Sequence, residues 1–323
     1  MTNDSKYLSV LCGNFGDDYQ PLTKTQFWKI YHQCNDSIEN VIDSKVSEVQ
    51  TLLKRSGSIT FAIDKMEQMG IKITTVLDDN FPKKLLTKLG DKCPPILYYC
   101  GNTDLNQMKY VGYVGSRDID NVDQIWTEKM IEKNISKRFG VVSGGARGID
   151  MISTSYALRY GSFAIEFLVD GIDKKIKDKT VLQYILDDKM LLYSATSPMA
   201  KKYRNSFVVA AMERNKFIYA QSSGTVVVKS DLNKGGTWAG ATEALQNRWC
   251  KVYVWDQKKY QGNQALIAAG GIGIDNTGEL VNNNSRYVLF NDTKDKEEYS
   301  QITLHDLANE MMVSEETTKY KDA

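Results

Sequence analysis

The spacing of apolar residues divides the chain into stretches of different structure. In residues 20–70, apolar positions such as Phe27 and Ile30 recur at intervals of three and four, which predicts helices. Residues 70–76 then predict a short strand. We therefore expect a small helical N-terminal region over residues 1–70.

From about residue 108 to 275 the pattern alternates between strands and helices. The predicted strands are 110–114, 140–142, 163–169, 190–193, 225–228 and 251–255. The predicted helices are 125–138, 151–160, 237–247 and 263–269. This alternation predicts an α/β fold, an extended Rossmann-like parallel sheet with helices on both faces, in a domain over residues 71–290. A ligand of such a sheet binds beyond the carboxyl ends of its strands.

Charge refines this picture without changing the fold. The 323 residues include 41 Lys+Arg and 40 Asp+Glu, a formal charge of +1, which excludes a polybasic DNA protein but not a local basic groove. Residues 291–323 carry nine acidic residues and four lysines, a net charge of −5, so the first 290 residues carry +6. We assign residues 291–323 as an acidic C-terminal tail.

The chemistry-bearing residues are few. Two histidines and five cysteines form neither a CxxC nor an HxxxH pattern, so we expect no metal and no other cofactor. Five scattered cysteines favour free thiols in a cytoplasmic protein. No apolar run approaches the roughly 18 residues of a membrane span, so we expect no association with a membrane.

Four loops at or near predicted strand ends are basic or rich in glycine; one of them, residues 213–216, lies in a predicted helix or in the loop before it. Such loops place backbone amide groups and cations where a phosphate can bind. Because the loops follow strands of one sheet, we expect them to converge in space. The residues that we expect to contact DNA or phosphate are Gly115, Ser116, Arg117, Ser143, Gly144, Gly145, Arg147, Gly148, Arg214, Asn215, Lys216, Lys234, Gly235 and Gly236. Phe217 and Trp238 are candidates for stacking on bases.

The loop over residues 143–150 is the most specific of the four. An apolar strand runs into three glycines and then a helix, as an anion-binding loop requires. Its spacing matches neither the G-x-G-x-x-G dinucleotide fingerprint nor the GxxxxGK[ST] of a P-loop. This disfavours NAD binding and ATP hydrolysis.

Taken together and in this order, these segments resemble the DNA-processing protein A (DprA/Smf) family. The resemblance covers residues 57–273. The matching segments are 70–73, 81–85, 94–101, 115–117, 143–150, 214–216, 234–237 and 262–267. It implies an extended Rossmann-like fold that binds single-stranded DNA and performs no covalent chemistry, and hence a protein that is not an enzyme. It also implies a homodimer that protects incoming strands during natural transformation and delivers them to the RecA recombinase.

The chain resembles a divergent member of this family. The family's Tyr-Pro-Pro segment is replaced by residues 172–177, and its Ser-Glu pair by Ser194 and Ala195. Its Ser-Gly-Ser loop corresponds here to residues 235–237, which the bulky Trp238 follows.

Two other functions remain open from the sequence. A nucleotide-sensing domain of a defence or signalling system would use the same crevice for a small phosphorylated ligand. A LOG-type phosphoribohydrolase has a GGxGTxxE loop, which Gly235, Gly236, Thr237 and Glu243 resemble. In this chain Glu243 is one residue out of register with that loop, and a catalytic carboxylate must lie within hydrogen-bond distance of its substrate.

Overall fold

A nine-stranded sheet runs through the computed structural model, which describes residues 2–200 and 206–281. Its strands are β1 (Lys72–Thr75), β2 (Ile96–Cys100), β3 (Tyr110–Val114), β4 (Gly140–Ser143), β5 (Ala164–Leu168), β6 (Met190–Ser194), β7 (Gly224–Val227), β8 (Lys251–Trp255) and β9 (Ile272–Ile274). Across the sheet their order is β1-β2-β6-β5-β4-β3-β7-β8-β9.

The parallel part of the sheet extends from β6 to β9, where every neighbouring pair is parallel. At the other edge, β1 and β2 pair antiparallel with each other, and β2 pairs antiparallel with β6. The predicted Rossmann-like α/β fold is confirmed, with this antiparallel edge added. A short apolar run has the same sequence pattern in either direction, so the sequence did not reveal the orientation of β1 and β2.

Helices connect the strands and cover both faces of the sheet. In the described residues they are α1 (Asn3–Cys12), α2 (Lys24–Gln33), α3 (Ile38–Asp43), α4 (Ser47–Leu53), α5 (Ser56–Gln68), α6 (Lys83–Leu89), α7 (Asn121–Ile135), α8 (Ile149–Arg159), α9 (Lys179–Leu186), α10 (Ser206–Gln221), α11 (Gly235–Asn247) and α12 (Gln261–Ala268). Right-handed crossovers place α7, α8 and α9 on one face and α10, α11 and α12 on the other. The contacts of α7 with α8, and of α11 with α10 and α12, agree with this placement.

The direction of winding reverses between β3 and β7. From β3 the chain moves outward through β4 and β5 to β6, and α10 then returns it to β7 on the opposite side of β3. Such a reversal leaves a crevice outside the carboxyl ends of the two strands, because their following loops turn to opposite faces of the sheet. The fold therefore places the candidate site at the ends of β3 and β7.

The helical N-terminal region packs on the antiparallel edge of the sheet. Helix α1 contacts β1 and β2, and Trp28 of α2 donates its indole N–H to the carbonyl oxygen of Cys93 at 2.8 Å. Arg55 is 1% exposed and donates to the carbonyl oxygen of Val10 at 3.0 Å. The predicted helices of residues 20–70 are present, and α1 is a further helix that the pattern did not reveal.

Some predictions concern residues that the structure does not describe. The acidic tail at 291–323 and the last residues of the 71–290 domain lie outside the described residues, and the boundary at residue 70 stays a prediction. All five cysteines lie in the described part and are free thiols. Within residues 2–200 and 206–281, no helix is both long enough and apolar enough to cross a membrane.

Candidate nucleic-acid interface

A crevice of about 720 Å³ lies at the carboxyl ends of β3 and β7. Its walls are the loops that follow β3, β4 and β7, one side of α10 and the first turn of α11. The lining residues that the sequence predicted are Gly115, Ser116, Arg117, Arg214, Asn215, Lys234, Gly235, Gly236 and Trp238. These nine residues come from three of the four predicted loops, and the loop over residues 143–150 contributes Ala146 and Asp150 instead. The contact of any of them with a ligand stays a prediction.

Two glycines allow the loops after β3 and β4 to approach each other closely. A Cβ on Gly115 would lie 2.5 Å from the side chain of Ile149. Gly148 has a φ of +86°, and a Cβ there would lie 2.4 Å from the carbonyl oxygen of Ser116 and 2.8 Å from the Cα of Arg117. Neither contact is compatible with a larger residue unless the backbone moves. Gly148 thus fixes the position of the loop that carries Arg117.

A buried ion pair forms the floor of the crevice. Arg214 of α10 is 5% exposed and Asp150 of α8 is 7% exposed, and their side chains are 3.1 Å apart. Burial raises the pKa of Asp150, and the guanidinium of Arg214 opposes that rise. A Cβ on Gly144 would lie 0.8 Å from Nη1 of Arg214, so the glycine leaves the space that the guanidinium occupies. We call Asp150 and Arg214 the floor pair.

Three exposed cations lie on or next to the loops that form the crevice: Arg117, Arg147 and Lys234. Arg117 and Lys234 line it, whereas Arg147 follows Ala146 of its wall but does not itself line it. Within the part of the chain that the structure describes, none of the three side chains forms an ion pair or a hydrogen bond. Their positive charge is therefore not neutralised by a carboxylate of that part, and it is available to an anionic ligand. We call them the rim cations.

The first turn of α11 adds backbone amide groups to the crevice. Residues 235–239 line it, and no side chain caps the helix at Lys234. Gly235 has a φ of +81°, which only glycine adopts readily. Asn215 of α10 donates its side-chain amide to the carbonyl oxygen of Gly236 at 3.0 Å, which ties the two helices together. The uncapped N-terminus of this 13-residue helix is suited to bind an anion.

Seven of the predicted residues do not line the crevice: Ser143, Gly144, Gly145, Arg147, Gly148, Lys216 and Phe217. For three of them the structure shows another role. Ser143 is fully buried and donates its hydroxyl to the carbonyl oxygen of Tyr113 at 2.7 Å, so it stabilises the sheet. Phe217 is 3% exposed and packs edge-on against Phe167 in the core, which contradicts its prediction as a base-stacking residue. Lys216 does not line the crevice, because its ammonium group is paired with carboxylates behind it.

A second depression, of about 330 Å³, adjoins the crevice beyond Arg117 and Arg214. It is also lined by Gly144, Gly145, Ala146, Leu168, Val169, Asp170, Gly171, Lys174 and Lys175. Its two lysines are paired: Lys174 lies 2.8 Å from the carboxylate of Asp170, and Lys175 lies 2.9 Å from that of Glu166. Gly145 has a φ of +65°, and a Cβ there would lie 2.7 Å from Glu166. These neutralised lysines attract an anion less strongly than the rim cations.

Lys229 and Tyr219 are two of the crevice residues that were not predicted. Lys229 comes two residues after the end of β7, which is the same sequence signal that identified Arg117 after β3. Its ammonium group donates to the carbonyl oxygen of Asp118 at 2.8 Å. Tyr219 is fully buried, and its hydroxyl has no hydrogen-bond partner among the described residues. Only its spacing of four residues from Asn215 on one helix could have indicated it.

The geometry does not support the phosphoribohydrolase alternative. Glu243, which a phosphoribohydrolase would need in its site, does not line the crevice. Its carboxylate lies 3.3 Å from the ammonium group of Lys216 and 3.4 Å from that of Lys92. Among the described residues, no group of three His, Cys, Asp or Glu side chains is placed to hold a metal ion.

An open sheet with unpaired cations and free amide groups at its winding reversal defines a Rossmann-like protein with a crevice suited to an anionic ligand. The chain belongs to the DNA recombination-mediator protein A family, whose model matches residues 72–284. The suspected membership of the DprA/Smf family is thereby confirmed.

Two curated relatives match about half of the chain. The DNA processing protein DprA of Streptococcus pneumoniae is 29% identical over 163 residues, which is 50% of this chain and 55% of the relative. The protein Smf of Synechocystis is 27% identical over 179 residues, which is 54% of this chain and 43% of the relative. The match therefore spans about half the length of these relatives.

Two solved structures share the fold. DNA processing protein A of Streptococcus pneumoniae superposes with a TM-score of 0.66 at 23% identity, over 85% of this chain and 95% of that one. Residues 72–323 are less than 85% of the chain, so this likeness extends into the helical N-terminal region. DNA processing protein A of Helicobacter pylori, solved for its single-stranded DNA binding mode, superposes with a TM-score of 0.52 at 24% identity, over 62% of this chain and 90% of that one.

Proposed function

We propose that the protein binds single-stranded DNA at the crevice between β3 and β7 without reading its sequence. The observation that carries the proposal is the set of rim cations, Arg117, Arg147 and Lys234, which are unpaired among the described residues. Arg117 and Lys234 line the crevice together with the uncapped N-terminus of α11. Cations and backbone amides bind phosphate oxygens, which are the same at every nucleotide. The single-stranded DNA binding of the Helicobacter pylori homologue supports the choice of ligand.

The polar side chains of the crevice floor support binding without sequence specificity. Asp150 and Arg214 are bonded to each other, and the side-chain amide of Asn215 is bonded to the carbonyl oxygen of Gly236. Both members of the floor pair are buried, so they present few polar atoms to the edge of a base. Trp238 is half-buried and lines the crevice, and an aromatic ring stacks on any base.

The size of the crevice favours a single strand over a duplex. A volume of about 720 Å³ matches sites that enclose one small organic molecule, and it suits one or two unstacked nucleotides. A single strand can turn its bases toward Trp238 while its phosphates follow the rim cations. A duplex keeps its bases stacked inside and offers only phosphates to the rim. We therefore expect weaker binding of double-stranded DNA.

The test is a titration of labelled oligothymidine at several salt concentrations. Wild type is expected to bind with a steep salt dependence, because each bound phosphate contributes about −0.7 to the slope of log K against log[salt] for a single strand. In Arg117→Ala/Lys234→Ala the slope becomes shallower by about 0.7 for each phosphate that the variant no longer binds. Lys29→Ala/Lys65→Ala removes two exposed cations from α2 and α5, away from the crevice, and serves as the charge-matched control.

Two outcomes would contradict the proposal. One is salt-insensitive binding by wild type, which would mean that phosphate contacts do not drive it. The other is an equal loss of affinity in both double variants, which would mean that only total charge matters.

We further propose, from the family, that the protein acts as a homodimer and delivers the bound strand to a RecA-type recombinase, without catalysing a reaction itself. The measurement is the rate of RecA filament assembly on DNA coated with single-stranded DNA-binding protein. The protein is expected to accelerate assembly, and Arg117→Ala/Lys234→Ala to lose that effect. Unchanged assembly rates with wild type would remove the delivery role while leaving DNA binding intact.

A second candidate ligand is a free nucleotide, which one observation favours. The crevice is large enough for a nucleoside monophosphate, and the buried hydroxyl of Tyr219 in its wall has no partner among the described residues. Thermal unfolding with AMP or with oligothymidine separates the two ligands. Stabilisation by AMP that exceeds stabilisation by the oligonucleotide would support a nucleotide sensor.

A further inference from the structure

A chain of five charged side chains lies behind the crevice, on the side of α10 and α11 that faces the N-terminal half of the protein. Three lysines alternate with two glutamates along it. In order of contact they are Lys24 of α2, Glu213 of α10, Lys216 of α10, Glu243 of α11 and Lys92 of the short helix Gly90–Lys92. We call this set the rear network.

Each glutamate of the rear network is shared by two lysines. Glu213 binds the ammonium group of Lys24, and its other oxygen lies 2.8 Å from Lys216. Glu243 lies 3.3 Å from Lys216 and 3.4 Å from Lys92. Burial alone would raise the pKa of Glu213, but its hydrogen bonds with Lys216 and Lys24 outweigh that effect and hold its pKa below the usual value.

Lys92 has two further contacts that fix it against α11 and the turn that follows. Its ammonium group donates to the side chain of Asn247 at 3.1 Å and lies 5.5 Å from the centre of the Trp249 ring. Both contact residues come after Glu243 in the chain, at the C-terminal end of α11 or just beyond it. Lys92 therefore joins the short helix Gly90–Lys92 to the far end of the helix whose first turn lines the crevice.

Helices α10 and α11 contact each other through polar side chains at two places, one at the crevice and one in the rear network. At the crevice, Asn215 donates to the carbonyl oxygen of Gly236. One residue further along α10, Lys216 meets Glu243, which lies seven residues after Gly236. Seven residues are about two turns, so Gly236 and Glu243 lie on the same side of α11. Two side-chain contacts, at Gly236 and at Glu243, therefore fix about two turns of α11 against α10.

We propose that Lys24 and Lys92 are positioning residues for DNA binding, which act through Glu213 and Glu243 to hold the first turn of α11 beside the rim cations. The inference rests on the proposed binding of single-stranded DNA at the crevice. Neither lysine lines the crevice, so neither binds a phosphate there. Their effect is on the placement of the amide groups of Gly235 and Gly236.

The sign of one substitution separates positioning from simple electrostatics. A carboxylate near a DNA-binding crevice repels phosphates, so its removal strengthens binding if charge is all that matters. If the ion pair of Glu243 with Lys216 instead fixes α11 against α10, removal of this carboxylate weakens DNA binding although the protein becomes more positive. Asp231 is the matched control, because it is an exposed carboxylate that lines the crevice and has no ion pair among the described residues.

The experiment measures oligothymidine affinity and its salt slope for four proteins: wild type, Glu243→Gln, Asp231→Asn and Lys92→Met. Glu243→Gln is expected to bind about two- to tenfold more weakly, the effect of removing two partly exposed ion pairs. Asp231→Asn, with the same change of charge, is expected to bind more tightly than wild type. Lys92→Met is expected to weaken binding with the salt slope of wild type, because the variant still binds the same number of phosphates.

Several results would overturn the inference. Glu243→Gln that binds as tightly as wild type, or more tightly, shows that the rear network positions nothing. A shallower salt slope in Lys92→Met shows that this lysine contacts phosphate directly. Failure of wild type to bind the oligonucleotide overturns the proposed function and this inference with it. If wild type binds, unweakened binding by Glu243→Gln or a shallower slope in Lys92→Met overturns this inference alone. The side chain of Lys92 is 46% exposed, so its replacement tests the idea even if Glu243→Gln unfolds.

Discussion

The rim and the floor of the crevice use the same types of charged residue in opposite ways. At the rim, Arg117, Arg147 and Lys234 are exposed and unpaired among the described residues. At the floor, Arg214 and Asp150 are 5% and 7% exposed and lie 3.1 Å apart. A rim cation retains its field for a ligand, whereas the guanidinium of the floor is neutralised by a carboxylate of the same protein.

A basic residue near a strand end can therefore have either of two roles: it can stabilise the fold through a buried ion pair, or it can stay exposed and bind an anionic ligand. The floor pair joins the first turn of α8 to α10 and so shapes the crevice. The rim cations contribute little to folding, because exposed and unpaired charges gain little from the folded state. Stability measurements should therefore respond to the floor, and DNA-binding measurements to the rim.

The largest expected effect comes from breaking the floor pair. Arg214→Met leaves the carboxylate of Asp150 buried without a cation, which costs about 3–5 kcal/mol of unfolding free energy near pH 7. Burial already raises the pKa of Asp150, and removal of the guanidinium raises it further. Because the raised pKa belongs to the folded state, the missing stability returns as the pH falls through it toward the value of about 3.9 for an unfolded chain. Urea denaturation at pH 7 and pH 5 measures both effects.

The control for this prediction replaces both partners. Arg214→Met/Asp150→Leu removes the buried charge together with its cation, and it is expected to recover most of the lost stability. A single variant within about 1 kcal/mol of wild type would show that water already reaches the floor pair.

An intermediate loss of stability is expected from substitution of Gly148, which lies against the loop that carries the rim cation Arg117. Gly148→Ala places a Cβ 2.4 Å from the carbonyl oxygen of Ser116 on a residue with a φ of +86°, so strain and a backbone clash add. We expect a loss of about 2–4 kcal/mol of unfolding free energy, measured by thermal or urea denaturation. The matched control is Gly235→Ala, which has a φ of +81° but open space around the added Cβ.

In that control only the backbone strain remains, at about 1–2 kcal/mol. Equal losses in both variants would mean that the loops after β3 and β4 separate easily. The close approach of Gly148 to Ser116 would then not be what places Arg117.

The sequence predicted the strands and the convergence of the loops better than it predicted the role of each cation. The strands at 110–114 and 251–255 were predicted at their observed bounds, because valine and aromatic residues dominate both short segments and favour strands. The pairing of Arg214 with Asp150 joins residues 64 positions apart, and only the fold determines it. Lys234 and Lys216 had the same local signal, a lysine beside glycine or amide residues, and only Lys234 is unpaired among the described residues.

Of the two aromatic residues predicted to stack on bases, the structure contradicts Phe217 and leaves Trp238 as a candidate, for a related reason. Helix α10 carries apolar residues on several sides, so its sequence does not show which side faces the sheet. Phe217 proved to lie on the buried side, whereas Trp238, near the start of α11, lies at the crevice. A position in the first turn of a helix after a strand therefore predicted a place at the crevice better than the aromatic residue type did.

The smallest expected effect concerns Trp238, which belongs to neither the rim nor the floor. If its ring stacks on a base, Trp238→Leu keeps an apolar residue against the core but lowers oligothymidine affinity by about 1 kcal/mol, roughly fivefold. Because stacking releases no counterions, the salt slope should equal that of wild type, in contrast to the shallower slope of Arg117→Ala. Titrations at two salt concentrations measure both quantities, and unchanged affinity would show that Trp238 only packs against the core. A change of slope without a change of fold would instead place Trp238 among the residues that orient the rim cations.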